Sequence, residues 1–416
     1  MTTPPAHIVV VGAGLGGLRT IERLRSGGYP GRITLVGAEA HPPYDRPPLS
    51  KQVLDGSWEP ERAVLRGLPE LAELGMTARL GTRAVGLRGT TVDLDGGDSV
   101  TGDAVVLATG AAARRLPGQP DDVVTLRTMD DAVALRHRFG SARSMIIVGA
   151  GFIGAEAAWA ARRRGMGATV LEALPVPCAR VLGPDVGTLA ARLFTEAGVD
   201  LRCGARIARL KDGRTVELAD GSVLSADIVL VGVGAVPDLA WLDGAGSRAA
   251  GGLACDERGR AVGLPGVWAV GDAAAWWDPG TGAHRRNEHW TSTVDQATRA
   301  ACDILGTQPP PATQPYVWSD QFGLKIQVLG RTETADEALP LHGSGLGGGE
   351  AKGTVVGYFA DGRLTGVVSF GAPAIGMRYR ALVAAGADRA TVLAQAEQRH
   401  QGSGAAQPEP VEAQPR

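Results

Sequence analysis

HIVVVGAGLGG, residues 7–17, and SMIIVGAGFIG, residues 144–154, decide how this chain is read. Each places a short run rich in Val and Ile before three glycines spaced G-x-G-x-x-G: Gly12, Gly14 and Gly17, then Gly149, Gly151 and Gly154. A diphosphate approaching a backbone needs a tight turn, a surface without Cβ and the partly positive start of a helix. Both copies predict that arrangement. LRTIERLRSGG follows the first as a helix, and an Ala-rich helix running to Arg164 follows the second. Strands at Arg32–Val36 and Ala168–Leu171 complete two βαβ units of roughly 30 residues.

The glycine pattern alone carries little weight. With 60 glycines in 416 residues, a three-glycine match arises about once by chance. A third copy does occur, at Gly343, Gly345 and Gly348, but it follows no strand pattern and precedes the strand-like Thr354–Phe359. It reads as a flexible loop. The two accepted copies are distinguished by their surroundings, which repeat further along the chain. DAVVLATGA at 103–111 matches DIVLVGVGA at 227–235, and each follows hairpin-like stretches with Asp-Gly turns at Asp95-Gly96, Asp212-Gly213 and Asp220-Gly221. The chain is internally duplicated.

After the second copy, GVWAVGDAA at 266–274 adds a short apolar strand and reads as a return to the first domain. The proline run Pro309-Pro310-Pro311 marks a boundary. Beyond it, strands are predicted at Trp318–Leu329, Val355–Phe359 and Leu364–Phe370, the last two joined by Asp361-Gly362, and a helix near Ala374–Ala385. The end, from about Gln401, has the composition of a disordered tail.

Composition narrows the class. Formal net charge is −2, from 42 basic and 44 acidic residues, which gives no general attraction to nucleic acid or anionic membranes. No apolar run of about 18 residues is free of glycine and charge, and MTTPPAHIVVVGAG lacks a basic segment before its apolar stretch. A soluble, cytoplasmic protein is expected. Cys178, Cys203, Cys255 and Cys302 lie far apart and form no CxxC pair, so buried free thiols are expected and no metal site. Lysine occurs only at 51, 211, 325 and 352. Lys51 therefore stands alone in the first 210 residues: either a site that wants a compact ammonium or an accident of composition.

The acid that ends the second strand separates the two units. Glu172 directly follows ATVL, 23 residues after Gly149, where a carboxylate accepts hydrogen bonds from a ribose diol and repels a 2′-phosphate. That favours NADH over NADPH. In the first unit the equivalent position is Gly37, with Glu39 two residues on.

Taken together, VVGAGLGG, PPYDRPPLSK at 42–51, VVLATGA, IVGAGFIGAE at 147–156 and GVWAVGDAA resemble the pyridine nucleotide–disulfide oxidoreductase superfamily. PYDRPPLSK is similar to the FAD-dependent, NADH-linked ferredoxin reductases that serve Rieske-type dioxygenases and cytochrome monooxygenases. The resemblance runs from about residue 7 to 385. It implies an α/β, glutathione-reductase-like fold with two Rossmann-like dinucleotide-binding domains and a C-terminal α+β domain. The implied boundaries are 1–115 with 241–308 for a discontinuous FAD domain, 116–240 for an NADH domain, 312–400 for the C-terminal domain and 401–416 for the tail. It also implies that FAD is held by Gly12, Gly14, Gly17, Glu39, Arg46, Lys51, Ala108, Thr109, Gly110, Gly271, Asp272 and Trp290. NADH would be held by Gly149, Gly151, Gly154, Glu156, Glu172 and Gly234. Asp272 would bind the ribityl chain, although by its position alone it also reads as a helix N-cap. Lys51 and Glu156 would pair across the stacked rings, with Trp318 near the nicotinamide. Taken alone, Glu156 is also readable as an acid favoured at the start of a helix, and Trp318 as a core or interface tryptophan. His289, in NEHW, would lie near the flavin or be a core or surface histidine.

Disulfide reductases of this superfamily carry a CxxxxC pair beside the flavin, whereas this chain has no cysteine before Cys178. Electrons arriving on FAD as hydride must then leave directly, to an external one-electron acceptor. The expected partner is a [2Fe–2S] ferredoxin that feeds a terminal oxygenase, served by a monomer or weak dimer. Arg162–Arg164 or Arg285-Arg286 would dock it, or would simply be solvated faces. Two other readings stay open: a rubredoxin or quinone reductase, and a flavin-bound NADH sensor with slow turnover.

Overall fold

The computed structural model describes residues 4–403. His7–Val11 is buried at every position, because it is the middle strand of a five-stranded parallel sheet. The order across that sheet is Val267–Ala269, Ala104–Leu107, His7–Val11, Arg32–Gly37, Thr77–Leu80. A parallel strand covered on both faces has no solvent side, which is why it reads as unbroken Val and Ile rather than alternating. The helix Leu15–Ser26 lies on this sheet and buries Leu18, Ile21 and Leu24. It also meets the helix Trp290–Leu305 so closely that a Cβ on Gly27 would sit 2.5 Å from Leu305 Cδ1.

The second fingerprint repeats the plan. Ser144–Val148 runs parallel between Gly167–Glu172 and Ile228–Val231, with Asp200–Cys203 at the far edge. Each sheet is accompanied by a three-stranded antiparallel meander: Ala84–Arg88, Thr91–Leu94 and Ser99–Thr101 for the first, Ile207–Asp212, Thr215–Leu218 and Val223–Ser225 for the second. The Asp-Gly turns predicted from sequence connect strands of these meanders. One pairing is invisible in the repeat itself. Ala111–Ala113 forms an antiparallel ladder with Ala235–Pro237, so the tails of the two duplicated segments bind each other. Val267–Ala269 returns to the edge of the first sheet, as GVWAVGDAA implied.

The chain divides into two compact units. One holds both parallel sheets and comprises residues up to Pro177 together with Phe194–Val317; the other joins Cys178–Leu193 to the chain from Trp318 onward. The second unit contains a five-stranded sheet in the order Tyr316–Gln321, Leu324–Gly330, Arg363–Phe370, Val355–Ala360, Glu337–His342. The long strand predicted at Trp318–Leu329 is two strands, broken where Phe322 and Gly323 take φ of 52° and 79°. The predicted helix at 374–385 is two short ones, Pro373–Met377 and Arg380–Ala385. The family resemblance places residues 178–193 within the segment 116–240. They pack with the second unit through Tyr358, whose hydroxyl donates to Leu182 O at 2.6 Å, and through Arg192, which donates to Gly345 O and Gly349 O at 3.2 and 2.7 Å. The rejected glycine triplet is the loop that receives Arg192, with a single 3-10 turn at Gly345–Gly347. Of the tail expected from 401, residues 404–416 lie outside the described residues, and the helix Arg389–Ser403 covers the remainder.

No helix among the described residues is long and apolar enough to cross a membrane, and no group of His, Cys, Asp and Glu there is arranged for a metal ion. None of the four cysteines forms a disulfide among the described residues: Cys178 and Cys255 are buried, Cys302 is half-buried and Cys203 is exposed. Burial pushes the Cys255 thiol up to about 12, leaving almost none of it as the reactive thiolate at neutral pH. Brief alkylation of the native protein followed by peptide mass spectrometry is expected to label Cys203 and to spare Cys255 until denaturant is added. Early labelling of Cys255 would contradict the packing described above.

Candidate active site

In each fingerprint the outer glycines serve packing and the middle one faces open space. Gly12 has φ +114°, and a Cβ there would lie 2.1 Å from Ala108 O; a Cβ on Gly17 would lie 2.0 Å from Gly12 O. The second copy matches, with Gly149 at φ +103° and 2.5 Å from Gly232 O, and Gly154 at 1.9 Å from Gly149 O. Gly14 and Gly151 have nothing within 4 Å of a built Cβ. Each also stands at the start of a helix whose first turn receives no side-chain cap. A helix start without a side-chain cap and a bare approach suit a diphosphate, so both loops fit dinucleotides. Gly110 and Gly234, at the ends of the matching ATG and GVG segments, have φ of 71° and 104°. Between them, Thr109 Oγ1 donates to Asp238 O at 3.1 Å and Arg114 N to Gly234 O at 2.9 Å.

Glu172 closes the strand Gly167–Glu172, and its carboxylate lies against the second loop: Oε2 accepts from Ala150 N at 2.7 Å and Oε1 from Leu174 N at 2.9 Å. Glu39 is held differently. Tyr44 donates to its Oε2 at 2.6 Å and Arg46 Nη2 to its Oε1 at 2.9 Å. Arg46 Nη1 reaches Arg127 O at 2.5 Å, and the guanidinium lies 5.2 Å from the centre of the Tyr44 ring. Arg46 thus clamps Glu39 and the segment before the helix Met129–Phe139. Burial holds the Tyr44 phenol well above its ordinary range, which keeps it a neutral donor.

Asp272 sits in the short 3-10 turn Gly271–Ala273 and is not its N-cap, a place taken by Val270. Its Oδ2 accepts from Arg127 Nη2 at 2.7 Å, while Arg127 Nε donates to Ala111 O at 2.8 Å. Gly271 N donates to Gln296 Oε1 at 2.7 Å. Trp290 opens the helix Trp290–Leu305 and donates from Nε1 to Asp45 Oδ1 at 2.9 Å. Burial raises the Asp45 carboxyl above its usual range, an effect offset in part by that bond and by the charges of Arg19 and Lys51. His289 occupies the N-cap position, where its carbonyl accepts from Thr293 N at 2.9 Å.

The two halves of this unit meet at a buried ion pair. Lys51 Nζ lies 2.8 Å from Glu156 Oε1, with the side chains 11 % and 3 % exposed. Lys51 Nζ also donates to Pro47 O at 3.1 Å, and Ser50 Oγ donates to Glu156 Oε2 at 2.5 Å. Glu156 lies beyond the first turn of the helix Phe152–Arg163, so attraction to the helix dipole does not explain a carboxylate this deeply buried. Trp318 lies in the strand Tyr316–Gln321, in the second compact unit.

Several contributors went unread in the sequence. Ser50, Tyr44 and Asp45 stand inside the PPYDRPPLSK stretch that drew attention to Lys51. Arg127 had only an indirect signal, the Thr128–Asp131 capping box that starts the next helix. The arginine clusters considered for docking are engaged locally. Arg162 donates to Ala197 O and Met166 O, Arg163 pairs with Asp55 at 2.6 Å, and Arg286 pairs with Glu288.

Comparison with known proteins agrees with this geometry. The chain belongs to the pyridine nucleotide-disulphide oxidoreductase family, which it matches over residues 6–300, and residues 316–399 match the reductase C-terminal family. It is accordingly an oxidoreductase that uses FAD and NAD(H). It is 37 % identical over 375 residues to the ferredoxin reductase component of chlorobenzene dioxygenase from Cupriavidus sp. strain PS12, covering 88 % of this chain and 90 % of that one. Rhodocoxin reductase of Rhodococcus erythropolis is 36 % identical over 79 % of each chain. Among solved structures, putidaredoxin reductase in its covalent complex with putidaredoxin superposes with a TM-score of 0.87 at 27 % identity, over 96 % of this chain and 100 % of that one. A ferredoxin reductase from Rhodopseudomonas palustris gives 0.83 at 32 % identity, over 90 % and 93 %.

The carboxylate of Glu172 provides a direct test of nucleotide choice. Glu172→Arg is expected to raise the ratio of kcat/KM for NADPH to that for NADH on the order of tenfold or more, since it replaces a repelling charge with an attracting one. Steady-state dye reduction with each nucleotide measures it, and an unchanged ratio would remove Glu172 from the ribose site.

Proposed function

We propose that this protein is an NADH-dependent ferredoxin reductase, passing single electrons to a [2Fe–2S] ferredoxin that feeds an oxygenase in the cytoplasm. The observation that carries the reading is the Lys51–Glu156 pair, because it joins the loop following the first fingerprint to the helix of the second. FAD, when bound, accepts a hydride as a pair and releases electrons singly. On this reading FAD belongs to the half formed by 1–115 and 241–308, and NADH to 116–240.

The chain's own groups then take these roles. Gly12, Gly14 and Gly17 receive the FAD diphosphate, Glu39 its ribose, and Ala108–Gly110, Gly271, Asp272 and Trp290 line the rest, with Arg46 bracing Glu39. Gly149, Gly151, Gly154 and Gly234 receive the nicotinamide dinucleotide, and Glu172 selects the form without a 2′-phosphate. Trp318, in the C-terminal domain at 312–400, is the further aromatic that the family resemblance assigns to catalysis. Glu156, 2.8 Å from its ammonium, aims Lys51. A desolvated ammonium acts far more strongly on developing negative charge than one in water. The protein works as a monomer or weak dimer. The absence of any cysteine before Cys178 supports an external acceptor rather than a thiol relay.

Anaerobic mixing with NADH is expected to bleach the bound flavin quickly, and cytochrome c reduction to depend on added ferredoxin. Equal turnover with rubredoxin or a quinone alone, fast oxygen consumption without ferredoxin, or slow turnover with every acceptor would each overturn the assignment. Lys51→Met should retain FAD yet slow its reduction by NADH about 100-fold, the scale seen when one preorganised donor is removed.

A further inference from the structure

Glu156 has two carboxylate oxygens, and two consecutive residues each hold one: Lys51 at Oε1 and Ser50 at Oε2. Neighbouring side chains usually diverge. Here the 3-10 turn Pro47–Ser50 hands over to the helix Gln52–Asp55 at Lys51, and that junction turns both side chains toward one carboxylate 106 positions away from Ser50. Serine beside a helix commonly spends its hydroxyl on local backbone, as a cap or turn. Neither the 3-10 turn nor the helix has a side-chain cap, and the Ser50 hydroxyl goes to Glu156 instead.

The surroundings make that bond consequential. Ser50 is 2 % exposed and Glu156 3 %, so water does not readily replace a lost donor. A carboxylate held at one oxygen swings about its side-chain torsion, whereas one held at both cannot. A short hydroxyl-to-carboxylate bond also belongs to the charge-assisted class, roughly twice as strong as a neutral one.

We propose that Ser50 is a positioning residue for reduction of the flavin: it locks the Glu156 carboxylate in the one rotation that holds Lys51 at the junction of the two dinucleotide sites. This inference rests on the NADH-to-FAD reading above. Ser50 touches neither nucleotide on this account and acts only through Glu156.

The test uses the FAD-loaded enzyme in anaerobic stopped flow across a range of NADH concentrations, separating the limiting rate of flavin reduction from the NADH Kd. Ser50→Ala is expected to lower the limiting rate about tenfold, the scale of one hydrogen bond to a charged group, with NADH Kd and FAD content unchanged and Tm lowered by the loss of a buried donor. Ser50→Thr, which restores a hydroxyl, should recover most of the rate. In a Glu156→Gln background, Ser50→Ala should cost little more. A limiting rate unchanged by Ser50→Ala, or the same fractional loss with Glu156 already replaced, overturns the proposal. Where Ser50→Ala fails to retain FAD, Ser50→Cys, of nearly the same shape with a weaker donor, should give an intermediate rate; a wild-type rate there overturns it equally. Failure of the unaltered enzyme to reduce its flavin with NADH would overturn the parent function, and this inference with it.

Discussion

An ion pair that is almost wholly buried needs more than its own attraction to persist, because removing two charges from water costs several kcal/mol each before they meet. The Lys51–Glu156 pair meets that condition with additional bonds: Pro47 O accepts from the ammonium and Ser50 donates to the carboxylate. Much of the surrounding architecture can be understood as holding those groups at the right distance. Pro47 and Pro48 fix the backbone direction of the loop that presents Ser50 and Lys51. Gly154, pressed onto Gly149 O, fixes how closely the helix carrying Glu156 approaches its sheet. Either replacement of a partner would strand a charge, which is why this contact constrains the sequence on both sides of it.

The same economy explains the glycines. Three G-x-G-x-x-G strings occur, and the structure uses them for different ends. In two, the outer glycines are compressed against backbone carbonyls so that a helix can begin directly over a strand, and the middle glycine is left facing open space. In the third, the carbonyls of Gly345 and of the adjoining Gly349 receive Arg192 from the segment 178–193. That glycine loop is a receptor for an arginine rather than for a phosphate.

What could be read in advance follows from range. The strands and helices around both fingerprints are local patterns, and the predicted strands coincide with the observed ones to within a residue. The position of Lys51 opposite Glu156 came from resemblance to a family, not from the residues themselves. Ser50 and Arg127 went unnoticed because their partners lie 106 and 145 positions away, and nothing local in a serine or an arginine announces such a partner. Local misreadings had local causes. Glu337–His342 is not among the predicted strands; it is an edge strand with a register shift at Pro340, where proline is tolerated. The break at Phe322 was hidden because its positive φ falls on a residue that rarely adopts one.

The two duplicated halves are not finished separately. The first sheet takes its last strand from Val267–Ala269, and Ala111–Ala113 finds its partner only in Ala235–Pro237. During synthesis, the amino-terminal sheet therefore emerges with one edge unfilled and stays so while more than half of the remaining chain is made. Exposed edges of this kind are where nascent chains pair wrongly. Slow translation or a delay in release between residues 113 and 269 would thus matter more to yield than the same delay elsewhere, and the first nucleotide site is completed only when the chain has come back to it.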